Sequence, residues 1–307
     1  MKTTRKIFAA VTVLVMLVVL LPFRSPASGK NPLQRGNLVV CGDDQILIFD
    51  GEQARRGVAS LIWSWRASEA QGQLPDEYFR MLRSLDDCKP VRNNSQLLVT
   101  SSSGATLLLE VATKQILFYA KTPMAHSADL LPNGRIAVAN STHTAGNSLE
   151  VYDQQISEKI LFKDTLYSGH GAVWVAQRQE LFALGFDSLL VYECNQWQSE
   201  QPRLKKVRAY NLPDEGGHEL SPVSSTQLLV TTHHQVWLFN MDNGSFIPFD
   251  PLKDRENIKS ANYDATTESV IYTVAEESWW THHIYGVNPD FRIEIPDIRA
   301  YKVRTVR

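Results

Sequence analysis

The feature that most constrains the fold of this chain is a repeat of short apolar strands, spaced about 40 to 47 residues apart. One strand of each repeat begins at residues 96, 135, 180, 227 and 269. A second pair of strands follows each of these, joined by turn residues such as Asn, Asp and Gly, which is the pattern of a β-hairpin. Leu107–Val111 and Gln115–Phe118 form one such pair. Four strands at this spacing predict one blade of a β-propeller.

The number of blades follows from the ends of the chain. Whole units run from Asp87 to Asp297, and an incomplete unit of three strands lies before them. A lone strand at 300–306 has no unit of its own. Pairing this C-terminal strand with the N-terminal blade leaves no open sheet edge. We therefore predict an all-β fold, a six-bladed β-propeller closed by that pairing.

The insertion after the third strand predicts a short helix. Pro75 suits a first helical turn, and Tyr78 and Leu82 recur on one face, so we expect a helix at about 75–84. The remaining sequence shows no shift in composition that would mark a second domain. We predict a single β-propeller domain over residues 36–307.

The N-terminus has the pattern of a signal peptide over residues 1–27. Lys2, Arg5 and Lys6 precede an apolar run, and a small residue, Ala27, offers a cleavage site. An uncleaved anchor is the alternative, because the run is close to the ~20 residues that span a bilayer. Either way we expect an exported protein, periplasmic or extracellular, with no transmembrane domain after signal removal.

Net charge limits the kinds of partner that we expect, and the cysteine count limits the disulfides. The net charge of -2 comes without a basic stripe, so we expect no nucleic-acid partner. We also expect a monomer. The cysteines number three, an odd count. We interpret Cys41, Cys88 and Cys194 as buried thiols, with a disulfide between two of them as the alternative.

Polar residues recur at the start of the first strand of each repeat, where a propeller gathers them around its axis. Histidine occupies this place in three consecutive units, as His126, His170 and His218, and we predict these three as ligands of one divalent metal ion. Lys259, or Ser260 beside it, takes the same place in the last unit. Lys259 and His233 are the candidate catalytic proton acceptors. The alternative is that such residues only cap the inner strands.

Loops at the same predicted face add candidate ligand-binding residues. They are polar groups and aromatic rings suited to contacts with a sugar or another flat ligand, namely Asp87, His143, Glu276, Trp279, Trp280 and His282. The predicted ligand is a small molecule or glycan in a funnel on the axis. The chain has no G-x-S-x-G elbow, no phosphate-binding glycine loop and no H-E-x-x-H motif.

Four segments carry a resemblance to known proteins: 41–45, 84–90, 124–132 and 275–283. In these segments the chain resembles a family of exported bacterial six-bladed β-propellers of unknown function. The stretch from His218 to His233 is similar to one blade of the oligogalacturonate lyase propellers. That second resemblance implies axial histidines that bind a divalent metal.

Two classes of function remain open from the sequence. One is a metal-assisted carbohydrate lyase or hydrolase that acts on an anionic substrate. The other is a non-catalytic propeller whose funnel binds a glycan, a peptide or a protein partner. Both place the activity in a histidine-rich funnel that binds a polar or anionic ligand.

Overall fold

The chain folds into antiparallel β-hairpins that follow one another in sequence order. The structure is a computed structural model that describes residues 31–195, 199 and 203–307. The predicted signal peptide, residues 1–27, lies outside the described residues. Within the described part, no helix is both long enough and apolar enough to cross a membrane.

Twenty-four strands are present in the described residues. Three come from the N-terminal part of the chain and one from its C-terminal end: β1 (Leu38–Gly42), β2 (Gln45–Phe49), β3 (Leu61–Arg66) and β24 (Ala300–Thr305). The others follow in groups of four: β4 (Leu85–Val91), β5 (Gln96–Ser101), β6 (Ala105–Glu110), β7 (Ile116–Lys121); β8 (Ala125–Leu131), β9 (Arg135–Asn140), β10 (Ser148–Asp153), β11 (Ile160–Thr165); β12 (Gly171–Val175), β13 (Glu180–Leu184), β14 (Ser188–Asn195), β15 (Arg203–Asn211); β16 (Glu219–Pro222), β17 (Gln227–Thr231), β18 (Val236–Asn240), β19 (Ser245–Pro248); β20 (Ile258–Asp264), β21 (Ser269–Val274), β22 (His283–Val287), β23 (Phe291–Glu294).

These strands form six antiparallel sheets of four strands each, arranged in a ring as a six-bladed β-propeller. Blade 1 has the order β24-β1-β2-β3, and blades 2 to 6 take the following groups of four in sequence order. The predicted closure is confirmed, because β24 pairs with β1, with Val40 opposite Val303. The strand with no unit of its own is therefore the innermost strand of blade 1.

Apolar clusters lie between neighbouring blades, one for each of the six junctions. Successive residues of one strand face opposite neighbours. Leu97 and Val99 of β5 join the cluster toward blade 1, and Leu98 joins the cluster toward blade 3. Because both faces of each sheet are covered, the second strand of a blade, such as β5, reads as a nearly unbroken apolar run instead of an alternating one.

Helices in the described residues are short. The predicted helix at about 75–84 appears as α2 (Tyr78–Met81), with the buried Tyr78 in the cluster between blades 1 and 2. A second helix, α1 (Gly51–Arg55), was not predicted, although Asp50 caps it by accepting a hydrogen bond from Gln53 N. Three 3-10 turns complete the set: Ala67–Ala70, Pro132–Gly134 and Asp250–Leu252.

The cysteines are free thiols in the structure. Cys41 and Cys88 are buried in the cluster between blades 1 and 2, and burial raises the pKa of both thiols. Cys194 is half-buried.

Candidate functional site

One residue of each inner strand faces the same end of the ring axis. We call this set the funnel ring: Asp86, His126, His170, His218, Lys259 and Tyr301. In blades 1, 2, 3 and 6 the ring residue is the extra residue of a register shift in the inner strand. Such a β-bulge inserts one residue and turns its side chain away from the regular alternation. His170 and His218 instead come directly before β12 and β16.

A cavity of about 420 Å³ opens at this end of the axis. Five members of the funnel ring line it, all except Lys259. The remaining wall combines small and polar residues with five aromatic rings, those of Tyr167, Phe186, His233, Trp279 and Trp280. We call it the funnel cavity. Its volume is in the range that suits small-molecule ligands.

The histidines form a continuous row along the wall of the funnel cavity. Ring centroids of His126 and His170 are 4.3 Å apart, those of His170 and His218 5.5 Å, and those of His218 and His233 4.9 Å. Gly216 allows the last contact, because a Cβ there would lie 2.2 Å from the His233 ring and its φ is +74°. The structure thus places His126, His170 and His218 on the wall of one cavity.

Burial keeps these imidazoles neutral. It lowers the pKa of His126 to about 3, with help from the Lys302 charge, and it holds the pKa values of His170 and His218 well below the usual range. The Nδ1 atoms of His126 and His170 donate to the carbonyls of Met124 (3.2 Å) and Ser168 (2.8 Å). Each of these two rings is thus left with Nε2 as a hydrogen-bond acceptor.

Lys259 lies behind the wall of the funnel cavity. Its side chain is 1% exposed, its Nζ is 2.7 Å from His218 Nε2, and the ring centroid of Trp279 is 5.3 Å from Nζ. Within the described residues, no carboxylate lies within 4.0 Å of this ammonium group. Burial, together with the Lys302 charge, lowers the pKa of Lys259 to about 8. The group is therefore mostly charged at neutral pH and has no ionic partner among those residues.

Nδ1 of His218 is a buried polar atom without a hydrogen-bond partner among the described residues. When Lys259 donates to Nε2, the neutral ring carries its proton on Nδ1. That Nδ1 is buried and makes no hydrogen bond to any described residue. A buried donor without an acceptor is costly, so this atom and the Lys259 ammonium group both favour an acceptor supplied from outside the protein.

Asp86 takes the place predicted for Asp87. Its carboxyl group lines the funnel cavity, and burial raises its pKa to about 8, although Ser102 N donates to it. Asp87 belongs to a different set, because the bulge at Asp86 turns the next side chain the other way. The assignment of Asp87 to the funnel wall was therefore wrong by one residue.

Asp87 is part of what we call the ion-pair layer: Asp87, Glu219, Lys302 and Arg304. Arg304 donates to both oxygens of Asp87, at 2.7 and 2.5 Å, and also to Glu219. Lys302 Nζ lies 3.0 Å from Glu219 and donates to the carbonyls of His126 and His170. Burial by itself raises the pKa of Asp87, but the charges of Arg304 and Lys302 outweigh it and hold this pKa below the usual range.

Besides Asp87, three predicted ligand-binding residues do not line the funnel cavity. His143 is exposed in the loop after β9, where its Nδ1 accepts a hydrogen bond from Ala145 N. His282 is half-buried and its carbonyl accepts from Ile295 N. Glu276 turns to its own loop and accepts hydrogen bonds from Thr281 and Tyr285. The predicted Trp279, Trp280 and His233 do line the cavity.

The sequence analysis missed two residues of the funnel ring, Asp86 and Tyr301. Tyr301 had a detectable signal, because the closing strand supplies the inner strand of a blade and so must supply a ring residue. Asp86 had none, since nothing in the sequence marks a bulge in β4.

A metal site was predicted at the three histidines. Among the described residues, no group of three or more His, Cys, Asp or Glu side chains has an arrangement that could hold a metal ion. The donor that would come from His218 is engaged by Lys259. The geometry thus offers two histidine acceptors, His126 and His170, beside a buried ammonium group.

Comparison with known families gives a match that covers nearly the whole propeller. A model for a family of unknown function, DUF6528, matches residues 41–306. The chain belongs to this family. No curated protein matches the chain. Because the family description names no activity, the function has to be argued from the chemistry of the funnel cavity.

Proposed function

We propose that the funnel cavity binds a small anionic ligand that carries hydroxyl groups, of the class of sugar acids. The observation that carries this proposal is the buried Lys259 ammonium group, which lacks a carboxylate partner among the described residues. A buried charge of this kind is costly unless it is paired. A ligand carboxylate would supply the missing partner.

The other groups of the funnel cavity support the same class of ligand. The Nε2 acceptors of His126 and His170 suit hydroxyl donors, and the Nδ1 donor of His218 suits a carboxylate or hydroxyl oxygen. Trp279 and Trp280 offer aromatic faces for the apolar side of a sugar ring. The pattern near 1–27 supports export, so we propose that the ligand is met outside the cytoplasm.

Calorimetric titration tests the proposal. We use the methyl glycoside of glucuronic acid as the anionic probe and that of glucose as the neutral control, both at pH 7. The glucuronide should bind, and Lys259→Met should weaken it by about ten- to a hundredfold, the worth of one charged hydrogen bond.

Matched variants sharpen the test. Lys205→Met removes an exposed lysine of β15 and should leave affinity unchanged, because Lys205 is remote from the cavity wall. Equal affinity for the two glycosides, or equal effects of the two lysine substitutions, would contradict the proposal.

A second candidate is the metal-assisted carbohydrate lyase or hydrolase, with His233, or Lys259 once it has lost its proton, as the proton acceptor. One observation favours it: Nδ1 of His126 and of His170 donates to a backbone carbonyl, the arrangement that orients metal-ligating histidines. Titration with Zn²⁺ and Mn²⁺, followed by incubation with polyuronate, tests it. Metal binding that His170→Ala removes, with new absorbance from an unsaturated product, would establish the lyase. Metal binding without turnover would leave binding as the function.

A further inference from the structure

We propose that Trp279 is a gate over Lys259, positioned by Glu276, and that an anionic ligand moves the indole from the ammonium group onto its own face. This inference rests on the proposed function and adds to it how the ligand reaches the charge. It also assigns Glu276 a positioning role in place of the predicted direct contact.

The gate follows from exposure and distance. Trp279 is 57% exposed, whereas Lys259, whose Nζ is 5.3 Å from the indole centroid, is 1% exposed. The wall of the funnel cavity contains the two rings that contact the amine, those of Trp279 and His218, and not the amine itself. A ligand in the cavity can therefore pair with Lys259 only after one of these rings moves.

The indole of Trp279 is the ring that can move. His218 is 5% exposed and packs against rings on both sides, whereas Trp279 projects from an exposed turn. Ser278, just before it, has a left-handed φ of 58°. Trp280, by contrast, is half-buried and lies edge-to-face on Tyr301, with centroids 5.7 Å apart. Trp280 is thus the fixed neighbour of a movable Trp279.

Glu276 anchors the base of this turn. Its carboxylate accepts hydrogen bonds from Thr281 Oγ1 (2.5 Å), from His283 Nδ1 (2.9 Å) and from the Tyr285 hydroxyl group. Glu277 and Trp280, at the two ends of the turn, form an antiparallel backbone bridge. The base is therefore fixed while the tip carries Trp279, which leaves side-chain rotation as the low-cost motion.

The exchange is favourable on general energetic grounds. A cation–π contact near a surface is the weaker of the two interactions. A hydrogen bond between an ammonium group and a carboxylate in a desolvated site is the stronger one. The released indole can then stack on the ligand. A neutral sugar can stack on the released indole but cannot form the charged hydrogen bond with Lys259. The gate therefore selects anionic ligands with a flat apolar face.

Tryptophan fluorescence reports the motion directly. The methyl glucuronide should shift the emission of the native chain and of Trp280→Phe, and should leave the emission of Trp279→Phe nearly unchanged. Acrylamide quenching of the native chain with and without the glucuronide gives the same information if a variant does not fold. Unchanged emission on binding, or a shift that persists in Trp279→Phe, would overturn the gate.

Glu276→Gln tests the positioning role. It keeps the shape of the side chain but weakens its charged hydrogen bonds, and it should raise the Kd of the glucuronide by about three- to tenfold. It should also increase acrylamide quenching in the ligand-free state, which an effect on overall stability alone would not do. An unchanged quenching and Kd would remove Glu276 from the mechanism.

The outcomes separate the two proposals. Glucuronide binding that depends on Lys259, without a Trp279 signal, overturns the gate and leaves the proposed function intact. No binding of the glucuronide by calorimetry overturns both.

Discussion

Asp86 and Asp87 are neighbours in β4, yet Asp86 lines an open cavity and Asp87 is bonded to Arg304 inside the ring. The same division separates Tyr301 from Lys302 in β24. The funnel ring contains one buried ammonium group without a carboxylate partner in the described part of the chain, whereas the ion-pair layer matches two carboxylates with two cations.

The two sets show that one inner strand can serve two purposes, because one residue lines the cavity while its neighbour forms an ion pair between blades. Arg304 and Lys302, both from the closing strand, bind carboxylates of blades 2 and 5, so the ion-pair layer links blades across the axis. The funnel ring contains the Lys259–His218 hydrogen bond between blades 5 and 6, and it leaves Nε2 of His126 and of His170 available to a ligand. Stability and binding should therefore respond to different substitutions.

The largest effect should come from removing the closing strand. A chain that ends at residue 299 loses β24 with Lys302 and Arg304, and exposes the edge of β1. We expect loss of cooperative unfolding for the whole propeller, measured by circular dichroism during heating. Loss confined to structure near the C-terminus would contradict the role of β24 as the closure.

The next largest effect should come from removing the charge of Arg304. Arg304→Met leaves Asp87 and Glu219 buried with less compensation, so we expect a loss of about 3–5 kcal/mol in the free energy of unfolding. Urea denaturation measures it. Arg299→Met is the control, because Arg299 is exposed in its pair with Asp43 and should cost about 0–1 kcal/mol. Similar losses for the two variants would make the ion-pair layer unimportant for stability.

Substituting one buried lysine of each set, Lys302 of the ion-pair layer and Lys259 of the funnel ring, compares the two sets most directly. Lys302→Met breaks the pair with Glu219 and should destabilise the fold by several kcal/mol, as for any buried pair that loses one partner. Lys259→Met removes a buried charge without a carboxylate partner among the described residues, and should leave stability unchanged or raise it. Unfolding in urea distinguishes them. A larger loss for Lys259→Met would show that its bond to His218 holds the fold.

The smallest effect should be the pH dependence from Asp86. Its pKa in the folded state, about 8, is above that of an unfolded chain, so its contribution to stability is full at low pH and declines as pH rises toward 8. Asp86→Asn should lack this decline, with a difference in slope of at most about 1.4 kcal/mol per pH unit. Urea titrations between pH 5 and 9 measure it, and parallel curves would mean that the carboxyl group is not held protonated.

The architecture could be predicted from local patterns along the chain. Hairpin turns and apolar runs are local signals, so the four-strand unit, the six blades and the closure at 300–306 could all be predicted before the structure. The same signals predicted that His126, His170 and His218 face one end of the axis, because each begins an inner strand. The short helix near Tyr78 was also predicted, although it is shorter than its pattern indicated.

Which of two neighbouring side chains faces the funnel cavity depends on how the strands pair in the folded ring. A bulge changes the direction of a side chain by one residue, and its cause is the pairing of a whole strand, which placed Asp86 and not Asp87 on the wall. The contact of Lys259 with His218 joins residues that lie on different blades. The pKa values of Lys259 and His218 depend on burial and on charges brought together by the closed ring. These are non-local quantities, and no pattern along the chain carries them.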